Sequence, residues 1–296
     1  MASPNAARHL AICLVIALGG AVLAGDTPAP WRQDAPLPAR TTLSTDAEIE
    51  AFLRTAKIVR TREAGKGITN SIRATLSDGV ITHDAHIQTI DEYKREFRGA
   101  MTMELDFRDS WQFNVAAYKL DRLLGLEMVP VSVVGRYRSD PAAITWWVDD
   151  VMMDEGERVK RKLAAPEDKA RYWSDQLSLM RVFDQLIYNT DRNMGNMLIG
   201  SDWRLWLIDH TRAFRKHRTL RAPNQIGRCD RQVLERLRRL DADTLKQELS
   251  PYLDSSQLRS LLARRDLIVA RLESRGPGAL FDRGTLTAPG QPGGLP

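Results

Sequence analysis

Between Tyr188 and His210 the chain reads Tyr-Asn-Thr-Asp-Arg-Asn-Met-Gly-Asn-Met-Leu-Ile-Gly-Ser-Asp-Trp-Arg-Leu-Trp-Leu-Ile-Asp-His, and no other stretch narrows the possible folds as far. Met197–Ile199 and Arg204–Asp209 are short strand-like runs. Between them lie Gly200, Ser201 and Asp202, residue types that accept turn backbone or hydrogen-bond their own backbone, so a hairpin is predicted. Asn196 then precedes the first strand and Asp209 ends the second, so closing the hairpin brings two side-chain oxygens together. A helix over about 166–188 delivers Asp191 on the loop between. Acid, amide and acid at these spacings suit phosphoryl transfer: the first acid orients a hydroxyl and takes its proton, and the other two hold a divalent ion on phosphates. Hard oxygen ligands match Mg2+ or Mn2+.

The rest of the body divides into strands, one helix, more strands, and then mostly helix. Ser44 or Thr45 is placed to cap a helix over Ala47–Thr55. Lys57–Arg60, Ile72–Leu76 and His83–Ile90 read as strands. Asp109 or Ser110 is expected to open a helix that ends at Gly125, with Phe113, Ala117, Leu120 and Leu124 on one face. Val129–Arg136 and Ile144–Asp149 follow as strands, and helical periodicity returns at Arg231–Leu240, Asp243–Leu249 and Ser256–Leu272. The expected class is α+β, with a small sheet lobe over about 46–150, a helical lobe over about 151–275 and a connector near Asp149–Glu155.

The ends carry other signals. Residues 1–24 begin with Arg8 and His9 and continue apolar to Leu23 and Ala24, which reads as a signal peptide, with a retained N-terminal membrane anchor as the alternative. Residues 25–45 are a Pro-rich linker and 276–296 a Gly/Pro-rich tail without a fold of its own. Export to a periplasmic or extracellular space is therefore expected. Cys13 lies inside the signal, so the mature chain keeps only Cys229, expected as a partly exposed thiol, and no internal disulfide. Arg212–Arg239 holds ten Lys/Arg against Asp230 and Glu235, whereas the whole chain carries only +5. This basic stretch suits an anionic substrate, a polymer surface or a membrane surface, and Arg231–Arg239 also reads as a solvated helix face. Without interleaved aromatics it does not suggest nucleic acid.

Phe-Asp-Gln-Leu-Ile-Tyr-Asn-Thr-Asp-Arg-Asn-Met-Gly-Asn followed by Leu-Ile-Asp-His resembles the atypical kinase group of phosphatidylinositol 3- and 4-kinases, HipA-like kinases and secretory-pathway protein kinases. The resemblance covers about Val182–Phe214. It implies a protein-kinase-like bilobal fold, ATP as donor, Asp191 as catalytic-loop acid, and Asn196 and Asp209 as metal ligands. Two departures stand out: Asn193 where the group often has His, and His210 where many kinases continue Phe-Gly.

Gly65-Lys66-Gly67, between two predicted strands, is a candidate phosphate-binding turn, because glycine lets backbone amides approach. A plain hairpin turn is the competing reading. Kinases also use a strand lysine paired with a helix glutamate. The matching positions here are Gln88 and Asn114, a neutral amide pair, so Lys66 or Arg73 is expected to supply the phosphate-binding cation. His83 and His86, three apart on one strand, face opposite sides and do not form a metal pair. The primary expectation is an exported phosphotransferase acting on a hydroxyl of a protein, lipid, sugar or small molecule. A nucleotide-binding pseudokinase is the alternative, and a polymer-binding surface comes third.

Overall fold

The computed structural model describes residues 43–63, 71–98 and 103–283. The expected signal, residues 25–42 of the linker, residues 284–296 of the tail and Gly65-Lys66-Gly67 lie outside these residues; the start of the expected tail, 276–283, is folded, with a strand at Leu280–Phe281 and a buried Phe281, because Cys229–Asp230 offers it a pairing edge. Helix α1 (Asp46–Thr55) starts on a reciprocal cap: Thr45 Oγ1 accepts from Glu48 N and the Glu48 carboxylate accepts from Thr45 N. Such a cap is worth about 1 kcal/mol because it satisfies amides that a helix start leaves free. Strands β1 (Lys57–Glu63), β2 (Ile72–Ser77) and β3 (Thr82–Gln88) run antiparallel. Next comes a separate hairpin of β4 (Asp91–Arg98) and β5 (Met103–Ser110), then α2 (Gln112–Leu124), β6 (Ser132–Tyr137) and β7 (Asp140–Trp146). The main sheet has the order β1-β2-β3-β7-β6.

Period-two alternation sorts that sheet. Ala74, Leu76, Ala85 and Ile87 are fully buried and join the core to which α1 gives Phe52 and Leu53, and α2 gives Phe113, Ala116, Ala117, Leu120 and Leu124. The residues between them, Arg73, Thr75, Asp84 and His86, form the opposite, polar face. Helix α2 ends at Gly125 in the left-handed region (φ 60°), where a Cβ is unfavourable.

In the second half, β8 (Val151–Asp154) is followed by α3 (Glu155–Lys160) and α4 (Glu167–Leu186). Strands β9 (Met197–Gly200) and β10 (Leu205–Leu207) are the predicted hairpin, with Met197 opposite Leu207. Gln176 of α4 fixes it, donating Nε2 to Trp203 O at 2.9 Å and accepting from Leu205 N at 2.7 Å. A two-residue strand β11 (Cys229–Asp230) leads into α5 (Arg231–Arg239), α6 (Ala242–Leu249) and α7 (Ser255–Ser274), and β12 (Leu280–Phe281) pairs with β11.

Three further expectations are corrected. The connector is itself a strand: β8 pairs with β9 and makes the hairpin a three-stranded sheet. Neither Asp109 nor Ser110 caps α2, whose N-cap is Trp111 without a side-chain bond, because Asp109 is held by Arg212 instead. Cys229 is fully buried, and burial pushes its thiol up to about 12, so it is not a reactive surface thiol.

Candidate phosphoryl-transfer site

The loop carrying Asp191 is built on a buried ion pair. Asp184, near the end of α4, receives the Arg192 guanidinium through Nε at 3.0 Å and Nη2 at 3.1 Å. The same guanidinium donates Nη1 to Asn196 O and Ile208 O, both at 2.9 Å, and Nη2 to His210 Nε2 at 3.0 Å. One side chain thus ties the helix end, the loop and both edges of the hairpin together. Asn189 adds a further link, donating to Asp184 Oδ1 at 3.1 Å and accepting from Asp191 N at 2.9 Å.

Asn196 closes the single helical turn Met194–Asn196 that leads into β9. Its Nδ2 donates to Asp191 O at 3.1 Å, which spends the donor end of the amide within the loop and leaves Oδ1 for another partner. Asp209 follows β10 in the left-handed region (φ 53°), backbone that an Asp tolerates better than most residues. Thr211 Oγ1 donates to Asp209 Oδ1 at 3.0 Å. The backbone bond from Ile208 N to Asn196 O, at 3.2 Å, holds the two ligand positions side by side. The hairpin therefore brings Asp191, Asn196 and Asp209 together. Among the described residues no three His, Cys, Asp or Glu side chains form a metal cage. A neutral amide oxygen and one carboxylate instead suit a hard ion that takes its remaining ligands from phosphate oxygens and water.

Burial raises the Asp191 carboxyl above the usual carboxylate range; Arg212 works against this, and the charges of Asp209 and Asp109 add to it. His210, fully buried, is held well below its ordinary value by burial and by the Arg192 charge. It is neutral, accepts on Nε2 and acts as a structural residue.

Hydrogen bonds from the segment after Asp209 join the two halves. His210 N donates to Asn114 Oδ1 of α2 at 2.8 Å, and Ser110 N donates to Thr211 O at 2.9 Å. Thr190 N and Oγ1 donate to Arg212 O at 3.3 and 2.9 Å. Farther on, α7 grips the same segment: Gln257 Nε2 donates to Phe214 O at 3.0 Å, and the buried Arg264 donates to Leu186 O at 2.7 Å and Arg215 O at 2.9 Å.

The sheet lobe arranges its polar residues differently from the expected amide pair. Gln88 is buried and caps its own strand end, accepting from Thr89 N and Ile90 N at 3.1 and 3.2 Å. Among the described residues no hydrogen bond joins it to Asn114. Arg73 is ion-paired to Asp84 at 2.6 Å and lies over the Trp147 ring at 4.0 Å. His86, two residues before Gln88, is the β3 side chain that feels the Asp209 charge; burial nevertheless lowers its basicity. Its Nε2 is bonded to Ser71 Oγ. His83, on the other face, stacks on Trp146 and bonds Asp149 at 2.8 Å, so the two histidines are separated.

Sequence reasoning missed Asp184, Asn189, Arg192, Asp109 and Arg212. The signal that points to Arg192 is its place beside Asp191, and Asp184 lies eight residues upstream, two residues before the end of α4. Arg212 Nε donates to Asp109 Oδ2 at 2.8 Å, and its Nη1 lies 3.9 Å from Asp191 Oδ2. Arg215 is almost fully buried, paired with Glu104 of the β4–β5 hairpin. The basic run is thus not one surface: Arg212 and Arg215 point inward, and Arg238 of α5 pairs with Glu235 and Glu273. Lys216, Arg218 and Arg221 are exposed, Lys216 being paired with Asp254 at 3.1 Å and Arg221 donating Nη1 to Asn189 O of the Asp191 loop at 3.3 Å.

No protein-family model matches the chain, and no curated protein sequence matches it either. Solved structures do. The Golgi casein kinase with Mn/ADP bound is similar over 80% of this chain and 78% of that one, at 14% identity and a TM-score of 0.59. The Golgi casein kinase crystallised separately gives 79%, 77%, 15% and 0.56. The Helicobacter pylori proinflammatory kinase CtkA is 11% identical over 75% of this chain and 96% of that one, with a TM-score of 0.45. This chain has an atypical-kinase-like fold. At these identities the likeness does not select among the groups named above.

Proposed function

We propose that the chain is an ATP-dependent phosphotransferase. The observation that carries this reading is the convergence of Asp191, Asn196 and Asp209 on one buried scaffold centred on Arg192. Asn196 Oδ1 and Asp209 would hold Mg2+ or Mn2+, which supplies charge neutralisation on the nucleotide phosphates. Asp191 would orient the acceptor hydroxyl and take its proton while the oxygen attacks the γ-phosphorus. The bond from that phosphorus to the bridging oxygen breaks and ADP leaves with the electron pair. A carboxyl with raised basicity suits this task better than an ordinary one. The Mn/ADP in the Golgi casein kinase supports nucleotide and divalent-metal use by analogy of fold.

The acceptor is a hydroxyl on a protein, lipid, sugar or small molecule, and the exposed Arg221, bonded to the Asn189 carbonyl beside the Asp191 loop, favours an anionic one. Export rests on the N-terminal sequence. Among the described residues no helix is long and apolar enough to cross a membrane. Sequencing the mature N-terminus tests this, with cleavage near Ala24 expected and an uncut chain as the refuting result. The pseudokinase reading draws on Gln88 and Asn114 standing where a strand lysine and a helix glutamate would be. Incubating the full chain with ATP and Mg2+ or Mn2+, beside Asp191→Asn, decides between them. ADP formation by the wild type alone supports transfer; nucleotide binding without turnover supports the pseudokinase; absence of nucleotide binding refutes both.

A further inference from the structure

We propose that Arg212 is a catalytic residue that contacts the transferring phosphoryl group, supplying in cis the cation that the strand lysine position lacks. This inference rests on the phosphotransferase reading above.

The geometry is that of an anchored guanidinium. Thr190 of the catalytic loop holds the Arg212 backbone carbonyl, and Asp109, 1% exposed at the end of the β4–β5 hairpin, holds its Nε. The Phe107 ring centroid lies 5.4 Å from the guanidinium carbon. Among the described residues the two Nη atoms make no hydrogen bond, and Nη1 stands 3.9 Å from Asp191 Oδ2. The side chain remains 35% exposed. Its stem is fixed from both lobes, while the donor-rich end is free and beside the acid that would activate the acceptor.

The chemistry follows from that placement. Charge on the equatorial oxygens of a transferring phosphoryl group is best met by a preorganised fork of donors, and Arg offers one. Three other described arginines that the sequence offers for this role are occupied: Arg73 by Asp84, Arg192 by Asp184 and Arg215 by Glu104. Burial opposes the Arg212 charge, but the bond to Asp109 and the charges of Asp109, Asp191 and Asp209 outweigh it, so the guanidinium stays ionised. Asp109 is a buried acid whose second oxygen has no partner, so a purely structural Arg212–Asp109 pair is the competing account.

The test is release of ADP and inorganic phosphate from ATP with Mg2+, read beside ATP affinity by calorimetry. Deleting Arg212 alone strands the Asp109 charge, so the variants are Arg212→Lys and the combined Asp109→Asn/Arg212→Met, each checked for a wild-type melting transition. The expected result is a kcat lower by about 10³-fold, the lower end of the range for arginines that act on phosphoryl transfer, with ATP affinity within about threefold. Millimolar guanidinium ion is expected to restore about tenfold of the lost turnover to the combined variant and none to Asp191→Asn. Folded variants with wild-type kcat, a loss confined to ATP affinity, or no response to guanidinium would each overturn the assignment. A wild type that forms no ADP overturns the phosphotransferase reading itself; an active wild type with unchanged variants overturns the role of Arg212 alone.

Discussion

Arg192→Ala should be among the most damaging single substitutions in the chain, and its cost can be worked from its contacts. The Arg192 and Asp184 side chains are only 9% and 11% exposed. Removing one partner of such a pair leaves a buried charge uncompensated, at a cost of about 3–5 kcal/mol. The carbonyls of Asn196 and Ile208 and the ring nitrogen of His210 also lose a donor. If water reaches only part of that space, each orphan adds about 1 kcal/mol. A total of about 6–8 kcal/mol is a large part of the stability of an ordinary domain. Urea unfolding of the full chain measures it as a shift in midpoint at constant slope. Arg192→Met combined with Asp184→Leu should be at least ~2 kcal/mol more stable than Arg192→Ala, since no charge is stranded. A loss below about 1 kcal/mol for Arg192→Ala, or no recovery in the combined variant, would refute the claim that this pair holds the site together.

Three further outcomes are expected. Glu50 joins α1 to α2 through Lys119 and Tyr118, both at 2.8 Å, and these partners with Arg54 outweigh burial to bring its carboxyl down to about 2. The folded value lies below the unfolded one, so its stabilisation is present above pH ~4.5 and lost as pH falls toward 2. After discounting for solvent, Glu50→Gln should cost about 1–2 kcal/mol at pH 7, with the gap from wild type closing in acid unfolding curves. Asp209→Ala should abolish metal-dependent ATP binding in calorimetry while the melting transition is kept, with Asn196→Ala weaker in the same direction; unchanged Mg2+-dependent binding in both removes their assigned role. Gly125→Ala should lose about 1–2 kcal/mol in denaturant, because its left-handed backbone is strained with a Cβ and the new carbon would stand 1.8 Å from Arg236 Nη1 unless that arginine moves; a neutral effect would show the turn to be relaxed.

The order of elements and the central hairpin were legible from the sequence because they depend on local signals. Turn residues at Gly200–Asp202, alternating burial in β2 and β3, and the helical spacing in α2 are all encoded within a few neighbours. The pairing of Asn196 with Asp209 was legible for the same reason, since a hairpin alone is enough to bring its ends together, whereas the Asp191 loop is held by Arg192 and Asp184. The β4–β5 hairpin was not, for its apolar residues are scattered and its inner end is held by Arg212 and Arg215 from more than a hundred residues away.

The sequence by itself determined that Asp191, Asn196 and Asp209 ride on a loop and the two ends of one hairpin. Only the tertiary structure decided which charges are spent and which are free. Arg73, Arg192 and Arg212 look alike in a sequence; packing gives the first to Asp84, the second to Asp184, and fixes the third by its Nε with its fork beside Asp191. That difference is long-range, because an ion pair depends on distance in space and on exclusion of water, and neither is written in the spacing of residues along the chain.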